Sequence, residues 1–274
     1  MTTTTPRTEV LEDPWQPPPP DPLPRRHPAR TAAAVLCALL GSALLAGGAA
    51  TTWSQYRADH RPLPPDAAYR AAASLWHTAP ADALLPPVLE DREAGPGGAS
   101  RTWTRLALAP DADCAAALPD DWRAALTATG CTRVLRATYT DSTRSSLITV
   151  GLVFTPADAR TMDGLRGRLP APPAYEYADS RRAAWTAGVV AEAPAVVYAV
   201  SAFADGRTMD APVPAEEGAR QGATGTVAEA GLGHEAKALA VRVERTLGAL
   251  AAPPGTDPTA RAAAARQPRQ EPAR

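Results

Sequence analysis

Lysine is all but absent from this chain: of its 28 basic residues only Lys237 is a lysine, and the rest are arginine. Set against 29 acids, they leave a formal net charge of -1, so no broad positive field points to nucleic acid as a partner. Aromatic side chains are also scarce, at 5% of the sequence. The core must therefore be built from Leu, Val and Ala around a few Trp anchors.

Histidine and cysteine are just as sparse, which removes most metal and nucleophile chemistries. Of the four histidines, His27 falls in a leader, His60 in a linker, and His77 and His234 at helix ends, none with a second ligand at metal spacing. "GHEAK" (233–237) lacks the second His of HExxH. There is no CxxC, and two exported thiols cannot complete a four-ligand zinc site. The glycine-rich "AGPGGASRT" (94–102) lacks the GK[ST] ending of a phosphate loop and precedes a strand. No GxSxG elbow occurs, and Ser142, Ser145 and Ser146 sit in a hairpin turn. Two acidic pairs, Asp111 with Asp113 and Asp120 with Asp121, fall short of the ligand series of a calcium loop, and acids ahead of a helix are what its dipole attracts. The chain is expected to work by binding or assembly rather than catalysis, with no catalytic, cofactor-binding or metal-ligating residue assigned and no cofactor.

What the sequence does contain is one long apolar run, "TAAAVLCALLGSALLAGGAATTW" (31–53), in a stretch with no charge between Arg30 and Arg57. At 1.5 Å per residue such a helix covers a hydrocarbon core of about 30 Å. Arg25, Arg26 and Arg30 precede it, while uncharged residues including Trp53 and Tyr56 come after it. By the positive-inside rule the N-terminus stays in the cytoplasm and the bulk of the chain lies beyond the plasma membrane. The small residues Ala46, Gly47, Gly48, Ala49 and Ala50 resemble a cleavage site, so a removed signal peptide is the rival reading. A Pro-rich leader of about thirty residues and an apolar run longer than a usual signal core favour the retained anchor.

Residues 1–30 read as a disordered Pro-rich cytoplasmic tail, 31–53 as a transmembrane helix, 54–64 as a linker, 65–252 as an extracytoplasmic domain and 253–274 as a second disordered tail. Within the domain, "PPDAAYRAAASLWHTAP" reads as one helix with Ala67, Ala71, Leu75 and Ala79 on a stripe. Next come a strand over 101–109, a helix over 119–130, a hairpin of "TRVLRATYT" and "SLITVGLVF", a helix opened by a Thr155 cap with Pro156 behind it, and the strands "AAWTAGVV" and "AVVYAVSAFA". The last element is the cleanest, with Leu232, Ala236, Leu239, Val243, Leu247 and Leu250 at alternating four- and three-residue steps. This order predicts an α+β domain with a mainly antiparallel sheet, ferredoxin-like in its middle: a split β-α-β plan with helices on one face.

Once export is accepted, Cys114 and Cys131 read as a disulfide, whereas Cys37 lies inside the apolar run. A continuous helix from 114 to 129 would be about 22 Å long, too long for the bridge, whose Cα atoms lie about 4.4–6.8 Å apart. Pro119 resolves the conflict by forcing "CAAAL" to double back against a shorter helix. The segments "AYRAAASLWHTAPADALLPP", "GPGGASRTWTRLALAPDADC", "GCTRVLRATYTDSTRSS" and "VGLVFTPADA" together resemble a group of uncharacterised actinobacterial single-pass membrane proteins. That resemblance implies a cell-envelope context, adds weight to the cysteine pair, and carries no catalytic residue. The expected partners are the lipid bilayer and an envelope protein or ligand of unknown identity. Two alternatives stay open: an envelope sensor signalling through the cytoplasmic tail, and an exported enzyme.

Overall fold

The computed structural model describes residues 28–59, 63–92 and 99–252. The expectations for residues 1–27 and 253–274 lie outside them. One compact unit is a single helix, α1 (Pro28–Asp59), and everything from α2 onward forms the other. Within α1, Val35–Arg57 is long and apolar enough to cross a membrane. Its leucines and Val35 are 58–78% exposed. The weakly apolar residues hide their own polarity: the hydroxyls of Ser42, Thr51 and Thr52 donate to the carbonyls of Leu39, Gly47 and Gly48. The helix runs past Trp53, where the sequence suggested a linker, because nothing before Pro62 interrupts it.

The second unit is built on a seven-stranded sheet. Its first segment holds α2 (Pro65–Ala72), α3 (Leu75–Thr78), α4 (Ala81–Leu84) and the edge strand β1 (Val88–Asp91). Next come β2 (Arg101–Leu108), α5 (Cys114–Ala117), α6 (Asp120–Ala125), β3 (Arg133–Asp141), β4 (Ser146–Phe154) and α7 (Ala159–Asp163). The chain finishes with β5 (Ala184–Val189), β6 (Ala195–Phe203), β7 (Val213–Pro214), α8 (Ala215–Gly218), α9 (Thr226–Glu229) and α10 (Leu232–Ala251). The sheet order is β1-β2-β3-β4-β6-β5-β7, antiparallel throughout except where β7 joins β5.

This α+β architecture departs from the expected split plan at its first connection. A helical crossover would have to return the chain to the far end of β2, a strand of eight residues and about 27 Å. Helices of four and six residues rise only about 6 and 9 Å, so β3 instead re-enters beside β2 and antiparallel to it. A split arrangement appears one connection later, where β4 and β5 both pair antiparallel with β6 between them. The helices also occupy both faces rather than one.

Strand alternation assigns the two faces. On one, Leu135, Ala137, Ile148, Val150, Leu152, Phe154, Val197 and Ala199 meet Ala236, Leu239, Val243 and Leu247 of α10. On the other, Val134, Val153, Val196 and Tyr198 meet Trp122, Leu126, Met162 and Leu165 from the short helices. Tyr198 lies flat across Gly151, its pairing partner: a Cβ there would sit 2.1 Å from the ring. Only glycine fits that position.

Three helix ends fall short of the sequence reading, each for a local reason. The first helix breaks after Ala72, where the Ser74 hydroxyl takes the Ala71 carbonyl at 2.7 Å, and it buries Ala68 and Ala72 rather than the predicted Ala67 and Ala71. Helix α6 ends at Ala125, and Thr127 and Thr129 bond back to Arg123 and Leu126. Helix α7 is capped by Asp158, which accepts from the Thr161 amide, and not by Thr155; it stops before Gly164.

Candidate functional site

The cysteine pair is the one site named from sequence, and its two residues do meet. Cys114 opens α5, Leu118 is extended, α6 runs back, and Cys131 arrives just before β3, so that the Cα atoms of the disulfide lie 6.1 Å apart. The bridge packs against the short-helix face of the sheet. Cys37 is an exposed free thiol on α1.

The acidic pairs weighed in the sequence have structural partners. Asp111 and Asp113 both face Arg133, at 3.6 and 2.6 Å, while Asp120 pairs with Arg123 and Asp121 accepts from the Trp122 amide. In the hairpin turn Asp141 gathers Thr143, Ser145 and Ser146, whose amides reach its carboxylate at 2.8–3.1 Å. Burial pushes that carboxyl up, but the hydrogen bonds from Thr143 and Ser146 outweigh it and bring it down to about 2. The serines are thus turn residues. Among the described residues no group of three or more His, Cys, Asp or Glu side chains is placed to share a metal ion.

Glu235, the acid of "GHEAK", has no role assigned from the sequence. It is buried on α10, where its carboxylate accepts from Trp103 Nε1 at 2.6 Å and faces Arg101 Nε at 3.1 Å. Burial raises its pKa, opposed by the Trp103 bond and by Arg101. The Trp103 hydrogen bond and the Arg101 ion pair pin α10 to β2, which is a structural role.

A cleft of about 590 Å³ lies at the start of α2. Pro65, Asp66, Tyr69 and Arg70 form one wall; Asp158 and Ala159 at the head of α7, Ala191 and Glu192 in the β5–β6 turn, and Ala251 at the end of α10 complete it. Glu192 lies on the α10 backbone at Gly248, where a Cβ would come within 3.0 Å of its carboxylate. The lining carries three carboxylates against one guanidinium, and Arg160 and Arg166 act on it from nearby. Tyr69 is pushed up to about 12 by burial and by the charges of Asp163 and Asp158. Glu244 is raised by burial and then by the like charge of Glu192.

Carboxylates, a phenol and one guanidinium around small apolar side chains suit recognition of a polar or cationic group. They include no nucleophile paired with a base. No sequence signal marks this cleft, because its residues come from four elements that only the folded sheet brings together. No protein-family model, curated protein or solved structure matches the chain.

Proposed function

We propose that the chain is a single-pass plasma-membrane protein that presents its α+β domain outside the cytoplasm and binds an envelope protein or ligand there through the cleft beside α2. The observation that carries this is α1, whose apolar stretch Val35–Arg57 is exposed around its circumference. An apolar stretch of some 34 Å, with exposed Val35 and leucines concentrated over 36–45, belongs in hydrocarbon rather than water. Arg25, Arg26 and Arg30 orient that helix with its N-terminal flank inside. The Cys114–Cys131 bridge supports the same side for the domain, since persistent disulfides belong to oxidising compartments. The resemblance to uncharacterised actinobacterial membrane proteins fits an envelope setting.

The test is a periplasm-active phosphatase fused after Arg274 in a bacterial host, together with the N-terminal residue of the membrane-extracted product. An active fusion on a chain that keeps its leader is expected. A silent fusion would overturn the orientation, and a chain starting near Ala49 or Thr51 would replace the anchor with a cleaved signal.

A further inference from the structure

The cleft beside α2 carries three carboxylates, Asp66, Asp158 and Glu192, against the single guanidinium of Arg70. In a domain where nine ion pairs are formed, none of these three acids takes part in one among the described residues. Ala251 belongs to the cleft wall, so the chain leaves the described structure at its rim. The C-terminal segment beyond that rim is basic: residues 253–274 hold Arg261, Arg266, Arg269 and Arg274 against Asp257 and Glu271. Beside the cleft runs a second, apolar groove of about 260 Å³, lined in part by Leu63, Ala68, Leu75, Leu250 and Ala251. Leu63 and Leu250 are 51% and 39% exposed there, and the same segment supplies Pro253, Pro254 and the alanines 262–265.

We propose that the cleft and its apolar groove are the docking site of the chain's own basic segment, residues 253–274, whose arginines meet Asp66, Asp158 and Glu192. The inference rests on reading the cleft as a binding site and names its resident occupant. Reach is no obstacle: Arg261 is ten residues beyond Ala251, a contour of up to about 35 Å. Covalent attachment sets an effective concentration in the mM range, so an intrinsic affinity of about 4 kcal/mol, from the ion pairs together with apolar burial in the groove, is enough to populate the docked state. An envelope partner that uses this cleft must then carry arginines or lysines able to displace the segment, which makes residues 253–274 a built-in competitor.

The scarcity of lysine makes the test clean. In the full detergent-solubilised chain carrying Arg266→Lys, a carbodiimide activates carboxylates and the lysine amine then forms an amide with loss of water. The expected product, mapped by mass spectrometry, joins position 266 to Asp66, Asp158 or Glu192 within one molecule of a mixture of light and heavy isotope chains. It should be lost near 1 M salt, where the Debye length falls to about 3 Å. Links from position 266 only to acids elsewhere, or mainly between light and heavy chains, would overturn the proposal. Hydrogen exchange provides a second reading: neutralising Arg261, Arg266 and Arg269 to Gln should speed exchange of the amides around Tyr69 and Glu192, and unchanged rates would overturn it. If both fail while an envelope partner still requires Asp66 and Glu192, the cleft remains a binding site and only its proposed occupant is lost.

Discussion

The two faces of the sheet are covered in opposite ways. One is covered mainly by a helix of twenty residues, α10, joined in the same cluster by Ala72 of α2, Leu84 of α4 and Ala215 of α8; its Ala236, Leu239, Val243 and Leu247 repeat at the spacing of one helical face and meet aliphatic residues of β3, β4 and β6. The other carries α5, α6 and α7, helices of four, six and five residues, together with an extended crossing segment. Helices this short do not hold in isolation, since nucleation consumes about as much conformational freedom as they can recover. They are fixed instead by the Cys114–Cys131 bridge, by Trp122 donating to the Ala171 carbonyl at 3.2 Å, and by Thr138 and Thr149 holding Tyr175. A long amphipathic helix positions itself through packing, whereas short ones need covalent and polar anchors.

The comparison breaks most easily at α10. Leu239 is fully buried against the sheet, and Leu239→Ala should cost about 2–5 kcal/mol in denaturant unfolding, whereas Glu244→Ala should cost far less. Equal small effects would mean that α10 does not organise its face. Replacing Cys114 and Cys131 together by alanine should cost about 3 kcal/mol, for a loop with a sequence separation of 17. Hydrogen exchange should then rise in α5, α6 and α7 while α10 stays protected; uniform loosening would show that the faces are not held independently. Gly151→Ala places a methyl into the Tyr198 ring, so about 1–3 kcal/mol should be lost, and Tyr198→Phe should not relieve it because the ring atoms remain. Rescue by Tyr198→Phe would locate the crowding at the hydroxyl alone.

The smallest expected effect lies at the hairpin turn. The folded-state pKa of Asp141 is depressed to about 2, so its contribution is present above the unfolded value near 3.9 and is lost as pH falls from about 4 to 2. The carboxylate is only partly buried, and solvent screening limits the contribution to no more than about 1 kcal/mol. Asp141→Asn should therefore weaken the protein slightly at neutral pH and flatten the acid limb of its stability curve. An unchanged acid limb would assign that slope to other carboxylates.

Elements whose pattern repeats over many residues were legible in the sequence. The apolar helix, the β3–β4 hairpin, the β5–β6 pair and α10 all lie where their periodicity placed them, and the doubling back at Pro119 agrees with proline geometry and the bridge. Short elements were not: β1, α8 and α9 have four residues each and β7 two, too few to display a period. Strand order was also beyond reach, because it turned on whether α5 and α6 were long enough to cross the sheet. The cysteine pair could be named because two thiols admit one pairing. The cleft could not, because Asp66, Asp158 and Glu192 are separated in sequence by 92 and 34 residues and share no motif.

The redox state of the cysteines in cells decides whether the domain is disulfide-stapled and, as proposed, held outside the cytoplasm by α1. Full-length chain is to be alkylated during lysis without reduction, digested, and analysed by mass spectrometry. A Cys114–Cys131 linked peptide with both thiols blocked is expected, in a chain recovered from the membrane fraction. Two alkylated cysteines, or recovery of the intact chain in the soluble fraction, would contradict it.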